Sequence, residues 1–134
     1  MTRYQIVRRT RLIVYAFDVD ETLEVSNGPV TLQMLTDLRD AEHVVGICGN
    51  WAAFCHRVHG WQHVVSFINA GTPNKETHLQ QLKLYIPADD FVMVGNVHGE
   101  KNSLGYVCGS DDFGAAHRVG WRFIKEDDFA NGAR

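Results

Sequence analysis

Short apolar runs alternate with amphipathic segments from one end of the chain to the other. Continuous apolar runs that are rich in β-branched and aromatic residues are typical of strands buried on both faces. Such runs occur at residues 12–17, 44–48 and 91–94, and similar runs interrupted by Ser66 and Arg122 occur at 64–68 and 121–124. The pattern therefore predicts five strands, each separated from the next by a longer segment.

The intervening segments repeat apolar residues every three or four positions, which is typical of helices that pack one face against a sheet. Thr31 is a suitable N-cap for the first helix, and Thr72 followed by Pro73 predicts the start of the third. The predicted helices cover residues 31–41, 51–58, 72–86 and 112–119. Alternating strands and helices predict an α/β fold: a three-layer Rossmann-like sandwich with a central, mostly parallel five-stranded sheet.

Length and composition indicate one globular domain over residues 1–134. Hydrophobic residues make up 45% and charged residues 22% of the chain, which argues against intrinsic disorder. The 13 basic and 16 acidic residues give a net charge of −3, so the overall charge does not favour nucleic acid as a binding partner. Each apolar run is far shorter than the ~20 residues that span a bilayer, which predicts no membrane partner.

The three cysteines, Cys48, Cys55 and Cys108, are an odd number without close pairing. They form neither a disulfide framework nor a metal-binding CxxC pair, so a cytoplasmic location is expected. The apolar run after the arginine-rich start is short and ends at Asp18, which argues against a signal peptide.

Polar or small residues follow the predicted strands, at the edge of a parallel sheet where ligands usually bind. Asp18 and Asp20 come after the first strand, and the turn Cys48-Gly49-Asn50 opens a helix after the second. Lys75 lies at a helix start, where the helix dipole disfavours a cation unless an anion is nearby. Each feature alone has an ordinary explanation, since aspartate and asparagine cap helices and Lys75 could be a solvated surface residue.

Taken in order, these features resemble the motifs of the haloacid dehalogenase (HAD) superfamily of phosphohydrolases. VYAFDVDET is similar to the first motif and VGICGN to the second. Lys75 in NKETHLQQL is similar to the third, and VMVGN followed by SDDFGAAHRVGW to the fourth. The family commonly has glycine eight residues after its last acid, so Asp112, which precedes Gly120 at that spacing, is aligned rather than Asp111. The resemblance extends from about Leu12 to Phe129 and implies a HAD-like fold.

The resemblance implies a phosphatase that acts through an aspartyl-phosphate intermediate. Asp18 would be the nucleophile, and Asp20 would be the general acid and then the general base. Thr22 would order the first loop, and Lys75 would balance the remaining negative charge. Phosphoryl oxygens would be bound by Cys48, Gly49, Asn50 and Lys75.

Mg²⁺ is the implied cofactor, and oxygen atoms of Asp18, Asp20, Asn96 and Asp112 are its implied ligands. Asp20 would contribute its backbone carbonyl, and Asp112 would either ligate the ion or orient it. Two positions depart from the family pattern. The second motif usually ends in Ser or Thr, whereas Cys48 has only a weakly donating thiol. The fourth motif often reads Gly-Asp, whereas Asn96 offers an uncharged amide oxygen.

The two places where family members insert a cap domain are too short to hold one. Eight residues, 23–30, separate Thr22 from the first predicted helix, and five, 70–74, separate the third strand from Lys75. We therefore expect a capless member with an open site. Its substrate would be a phosphorylated small molecule or macromolecule end, and nucleic acid would be a partner only as a substrate. The oligomeric state stays open.

Alternatives remain for the function and for one segment. A non-catalytic HAD-like protein that binds phosphate or a partner protein is favoured by Cys48 and Asn96. A flavodoxin-like phospho-receiver domain also uses an aspartate at a strand end, Mg²⁺ and a lysine, although the order DxDxT argues against it. The glycine-rich spacer at 97–110 is either a small hairpin that brings His98 or Lys101 to the substrate, or a surface excursion.

Overall fold

The computed structural model describes residues 11–71 and 74–134, so most of the arginine-rich start lies outside the described residues. The strands are β1 (Ile13–Phe17), β2 (Val44–Cys48), β3 (Phe67–Asn69), β4 (Asp90–Gly95) and β5 (Arg122–Lys125). They form one sheet in the order β3-β2-β1-β4-β5, and every neighbouring pair is parallel. The predicted α/β fold with a five-stranded sheet is confirmed, and the sheet is parallel throughout rather than mostly so.

Helices connect the strands and lie on both faces of the sheet. The α-helices in the described ranges are α1 (Leu32–Asp40), α2 (Trp51–Arg57), α3 (Lys75–Tyr85), α4 (Asp112–Arg118) and α5 (Glu126–Ala130). Two 3-10 helices lie at Glu24–Ser26 and Trp61–His63. None of the helices described here is both long enough and apolar enough to cross a lipid bilayer.

Alternation along the strands divides the core into two parts. Tyr15 and Phe17 point to the face covered by α1, α2 and α5, where Phe17 packs edge-to-face on Phe129 with ring centres 5.2 Å apart. Val14 and Ala16 point to the other face, which α3 and α4 cover. Both faces of β1 are thus buried, which is why its sequence is apolar without a break.

The third strand differs from its prediction at residues 64–68. The backbone amides of Val64 and Val65 donate to the carbonyl of Trp61, at 2.9 and 3.1 Å, in continuation of a 3-10 turn. Val65 is buried although it is not in a strand, so the apolar residues at 64 and 65 indicate burial and not extended backbone. The strand therefore begins only at Phe67.

The start of α3 and the presence of α5 also differ from what the sequence pattern predicts. The predicted start of the third helix at Thr72 and Pro73 lies outside the described residues; α3 begins at Lys75, and Asn74 is its N-cap. The helix α5 was not predicted, because five residues are too few to show a helical period. By contrast, Thr31 caps α1 as expected and accepts a hydrogen bond from the amide of Met34.

The strand order reverses at the centre of the sheet. The chain proceeds from β1 to β2 and β3 in one direction and then crosses to β4 on the other side of β1. Phe17 is paired with Val94, so the residues that follow β1 and β4 leave the sheet side by side. Ligands of doubly wound sheets bind at such a switch point. The order also excludes the flavodoxin-like receiver domain, whose strands run 2-1-3-4-5.

Candidate active site

An open cleft of about 680 Å³ lies at the carboxyl ends of the strands. Its lining includes six of the predicted site residues: Asp18, Asp20, Gly49, Asn50, Lys75 and Asp112. The other three, Thr22, Cys48 and Asn96, are buried and do not line it. The structure therefore brings together residues from the ends of four strands that are far apart in the sequence.

A buried carboxylate–lysine cluster, formed by Asp18, Lys75 and Asp112, lies in the cleft. The Nζ of Lys75 donates to Oδ1 of Asp18 at 3.2 Å and to Oδ1 of Asp112. Burial raises the pKa of Asp18, and the charge of Asp112 raises it further. Burial by itself lowers the pKa of Lys75, but the two carboxylates outweigh this effect and raise it above its ordinary value. Lys75 is thus a cation at neutral pH, and the carboxylates offset the unfavourable helix dipole.

Asp112, rather than its neighbour Asp111, is the acid of the cluster. Asp111 is an exposed N-cap of α4 and accepts from the amide of Gly114 at 3.0 Å. Asp112 is 1% exposed, and its Oδ2 accepts from the backbone amide of Asn96 at 2.8 Å. Each oxygen of Asp112 thus accepts from a protein group, so that this residue holds both Lys75 and the backbone after β4.

Glycines make room for the two carboxylates. A side chain at Gly49 would overlap Oδ1 of Asp18, and a side chain at Gly95 would overlap the carboxylate of Asp112. Real Cβ atoms do not approach other atoms so closely, so either substitution would have to displace a carboxylate of the cluster. The strand ends can therefore carry these acids only with glycine beside them.

Asp20 is held by two neighbours. Its Oδ1 accepts from the hydroxyl of Ser26 at 2.6 Å, and its Oδ2 accepts from Nδ2 of Asn50 at 3.1 Å. Asn50 is also the N-cap of α2, where its Oδ1 accepts from the amide of Ala53. The capping and site interpretations of Asn50 are thus compatible. Ser26 was not predicted, because no motif or spacing points to it.

Two of the predicted phosphate ligands, Cys48 and Gly49, make contacts within the fold instead. The side chain of Cys48 is fully buried in the core beneath α3 and α4, and burial raises the pKa of its thiol to about 12. The amide of Gly49 donates to the carbonyl of Asn69 in β3 at 3.1 Å. The thiol packs in the core, and the amide hydrogen bonds to a neighbouring strand, so neither is directed at the cleft.

Asn96 joins β4 to the loop after β1. Its Nδ2 lies 3.1 Å from Oγ1 of Thr22, 3.3 Å from the carbonyl of Glu21 and 3.2 Å from Oε2 of Glu126. The contact with Thr22 agrees with the loop-ordering role implied for that residue. Glu126 is fully buried, and burial raises its pKa. Glu126 was not predicted as a site residue, because only the pairing of β5 with β4 brings it beside Asn96.

The donor atoms fit a magnesium ion. Within the described ranges, the buried side-chain oxygens that lack a hydrogen-bond partner are Oδ2 of Asp18, Oδ1 of Asn96 and Oε1 of Glu126. Unpaired buried oxygens are unfavourable, and oxygen is the ligand type that Mg²⁺ takes. No three Asp, Glu, His or Cys side chains of the described residues are grouped to hold a metal. A site here would therefore combine Asp18 with amide, main-chain and water oxygens.

The glycine-rich spacer forms a small hairpin, and of its residues only the last, Ser110, lines the cleft. An antiparallel bridge closes it at Lys101, and Nδ2 of Asn102 donates to the carbonyls of Glu21 and Asn27. Neither Lys101 nor His98 lines the cleft. The hairpin braces the loop after β1, and the structure does not place His98 and Lys101 at the cleft as the first alternative expected.

Comparison of the chain with protein-family models, with curated proteins and with solved structures found no match. The class of protein is therefore defined by the fold and the site alone. The fold is a parallel, Rossmann-like α/β sandwich, and the site is a carboxylate–lysine cluster at the switch point of its sheet.

Proposed function

We propose that this protein is a Mg²⁺-dependent phosphomonoester hydrolase of the HAD type, which acts through an aspartyl-phosphate on Asp18. The observation that carries the proposal is the cluster of Asp18, Lys75 and Asp112 at the switch point, on the wall of an open cleft. Lys75 holds Oδ1 of Asp18, while Oδ2 is buried without a protein partner among the described residues and is left for the metal. This arrangement suits a nucleophile whose position is fixed before a substrate binds.

In the first step, a carboxylate oxygen of Asp18 bonds to phosphorus while the ester P–O bond breaks. Asp20, which Ser26 and Asn50 hold in place, gives its proton to the leaving oxygen. In the second step, water attacks the phosphorus of the acyl phosphate, and Asp20 takes a proton from that water. The bond between phosphorus and the Asp18 oxygen breaks, which releases inorganic phosphate and restores the carboxylate of Asp18. Lys75 stays positively charged throughout and offsets the negative charge of the phosphoryl group.

The metal ligands that fit this proposal are a carboxylate oxygen of Asp18, the backbone carbonyl of Asp20 and the amide oxygen of Asn96. When bound, Mg²⁺ neutralises charge between the nucleophile and the phosphoryl group. Asp112 acts by orientation, since it holds Lys75 and the backbone of Asn96.

The proposed substrate is a phosphorylated small molecule or macromolecule end that enters a site without a cap domain. Only short segments lie at the two positions where a cap would be inserted, and the cleft is open. We further propose a cytoplasmic location, because all three cysteines are free thiols.

Hydrolysis of a generic aryl phosphate tests the proposal directly. We expect turnover with Mg²⁺, loss of turnover with EDTA, and loss in Asp18→Asn, which keeps the shape of the side chain without its charge. Asp40→Asn, a matched change at the exposed end of α1, should leave the rate unchanged. Full activity in Asp18→Asn would refute the aspartyl-phosphate mechanism.

A non-catalytic protein that binds phosphate or a partner is the second candidate. It is favoured by the burial of the Cys48 thiol and by the engagement of the Gly49 amide, which leave fewer donors for a phosphoryl group. Beryllium fluoride, a mimic of phosphate on aspartate, separates the two. Thermal stabilisation that needs both Mg²⁺ and Asp18 supports the hydrolase. Stabilisation by inorganic phosphate that persists in Asp18→Asn, without turnover, supports the second candidate.

A further inference from the structure

The side-chain amide of Asn96 is held in one orientation. Its Nδ2 faces Oγ1 of Thr22, Oε2 of Glu126 and the carbonyl of Glu21, all within 3.3 Å. Carboxylate and carbonyl oxygens only accept hydrogen bonds. Rotating the amide by half a turn would set its oxygen against two other oxygens, so Nδ2 faces these groups and Oδ1 faces away from them.

The oxygen of that amide is left without a protein partner. Oδ1 of Asn96 is buried, as is Oδ2 of Asp18, and neither accepts a hydrogen bond from the described part of the chain. The two residues follow β4 and β1, which are adjacent parallel strands. Unpaired oxygens at neighbouring strand ends form a suitable pair of ligands for a hard cation.

We propose that Glu126 is a positioning residue that directs the amide oxygen of Asn96 toward the metal position of the candidate site. This inference rests on the proposed function, because it takes Asn96 as a Mg²⁺ ligand. Glu126 is 0% exposed, and its Oε1 has no partner among the residues that are described. The carboxylate accepts from Asn96 and from its own backbone amide, but a buried oxygen left unpaired is unfavourable for folding. In this proposal Glu126 accepts from Nδ2 of Asn96 and so orients Oδ1, at the other end of that amide, toward the metal.

Asn96 and Glu126 together place one negative charge beside the metal position, on Glu126. Asn96→Asp alone would place a second buried carboxylate against Glu126, and like charges repel strongly in a site without water. Asn96→Asp combined with Glu126→Gln keeps one negative charge and one hydrogen-bonded contact, and moves the charge onto the metal ligand itself. Residues 96 and 126 should therefore behave as a charge-exchange pair.

Two measurements on four variants test this inference. The variants are Glu126→Gln, Asn96→Asp, the double variant and the control Asp128→Asn, an exposed acid in the same helix. Thermal unfolding in EDTA reports stability, and calorimetric titration with Mg²⁺ in the presence of beryllium fluoride reports metal binding.

In Glu126→Gln we expect little loss of thermal stability but a Mg²⁺ dissociation constant about 10- to 100-fold higher, as for other residues that orient metal ligands. Asn96→Asp should unfold at a lower temperature, and adding Glu126→Gln should restore Mg²⁺ binding and part of the stability, because the aspartate would still face the carbonyl of Glu21. Asp128→Asn should match the wild type in both measurements.

Either of two results would overturn the inference while leaving the proposed function intact. One is wild-type Mg²⁺ affinity in Glu126→Gln; the other is additive effects of the two changes on stability. If Asn96→Asp does not fold, the Mg²⁺ titration of Glu126→Gln decides alone. A wild-type protein that does not bind Mg²⁺ would instead refute the proposed function together with this inference.

Discussion

Lys75 is the side chain on which the candidate site depends most. It contributes the positive charge of a cluster that also contains two buried carboxylates, Asp18 and Asp112. Its own burial would favour the neutral amine, yet the two acids keep its pKa above the ordinary value. The interaction is therefore mutual: the lysine permits the acids to be buried, and the acids keep the lysine charged.

Lys75→Met tests this dependence through stability. Removing one partner of a buried ion pair costs about 3–5 kcal/mol at neutral pH, because the remaining charges are left unpaired. Burial and Asp112 already raise the pKa of Asp18, and without Lys75 nothing in the cluster lowers it. A raised pKa stabilises the fold at acid pH, and that stability is lost as the pH rises through the folded-state value. The defect should therefore shrink as the pH falls toward ~4.

Urea unfolding in EDTA at several pH values measures that defect. Lys83→Met is a matched control, because Lys83 is exposed on the same helix and donates to the carbonyl of Gly120 rather than to a buried carboxylate. A defect in Lys75→Met that is equally large at every pH would show that the lysine acts through packing rather than through charge.

At the scale of elements, strand ends and helix starts carry the site. The residues after β1, β2 and β4 approach one another closely, and glycines at positions 49 and 95 leave the space for the carboxylates of Asp18 and Asp112. The N-cap of α2 is shared between the helix and Asp20. Backbone geometry at these junctions, as much as side-chain chemistry, positions the acids.

Gly49→Ala should disable the site, because its methyl group would overlap Oδ1 of Asp18. We expect loss of Mg²⁺-dependent turnover and a destabilisation of about 1–3 kcal/mol, typical of overpacking. Gly109→Ala is the matched control, since a methyl group there meets nothing within 4 Å. Activity assays and urea unfolding measure both effects. Normal turnover in Gly49→Ala would mean that Asp18 is not held where the structure shows it.

At the scale of the whole molecule, the cleft is open and largely acidic. Its lining contains five acids, Asp18, Asp20, Glu76, Asp111 and Asp112, and two cations, Lys75 and Arg118. For the proposed phosphoryl substrate, a divalent cation would offset the repulsion between this lining and the phosphate. Trp51, which is 48% exposed, also lines the cleft and offers an aromatic surface next to the turn that holds Asp20.

Trp51→Ala should weaken the binding of substrates that carry an aromatic ring. Aromatic pairs contribute about 0.5–1.5 kcal/mol beyond buried area, so the KM for an aryl phosphate should rise about 2- to 10-fold. The KM for glycerol phosphate, which has no ring, should not change. Phe113→Ala is the control, because Phe113 is similarly exposed, at 49%, but does not line the cleft. Equal effects of Trp51→Ala on both substrates would argue against ring stacking.

Much of the fold and of the cluster could be predicted from the sequence because their signals are local. The apolar runs of β1, β2 and β4 indicate burial on both faces, and Thr31 caps the helix that it was expected to cap. The alignment of Asp112 through its spacing from Gly120 agrees with its burial in the cluster. The error at β3 arose because buried valines also occur in a 3-10 turn.

The sequence by itself determined the layered α/β architecture and the acids and lysine at the strand ends, since both follow from periodicity and from residue order. Only the tertiary structure decided which atoms meet. It buried the thiol of Cys48, engaged the amide of Gly49 and set Glu126 beside Asn96. These contacts join residues whose proximity depends on strand pairing, and pairing across a sheet is a property of the folded chain that no local pattern contains.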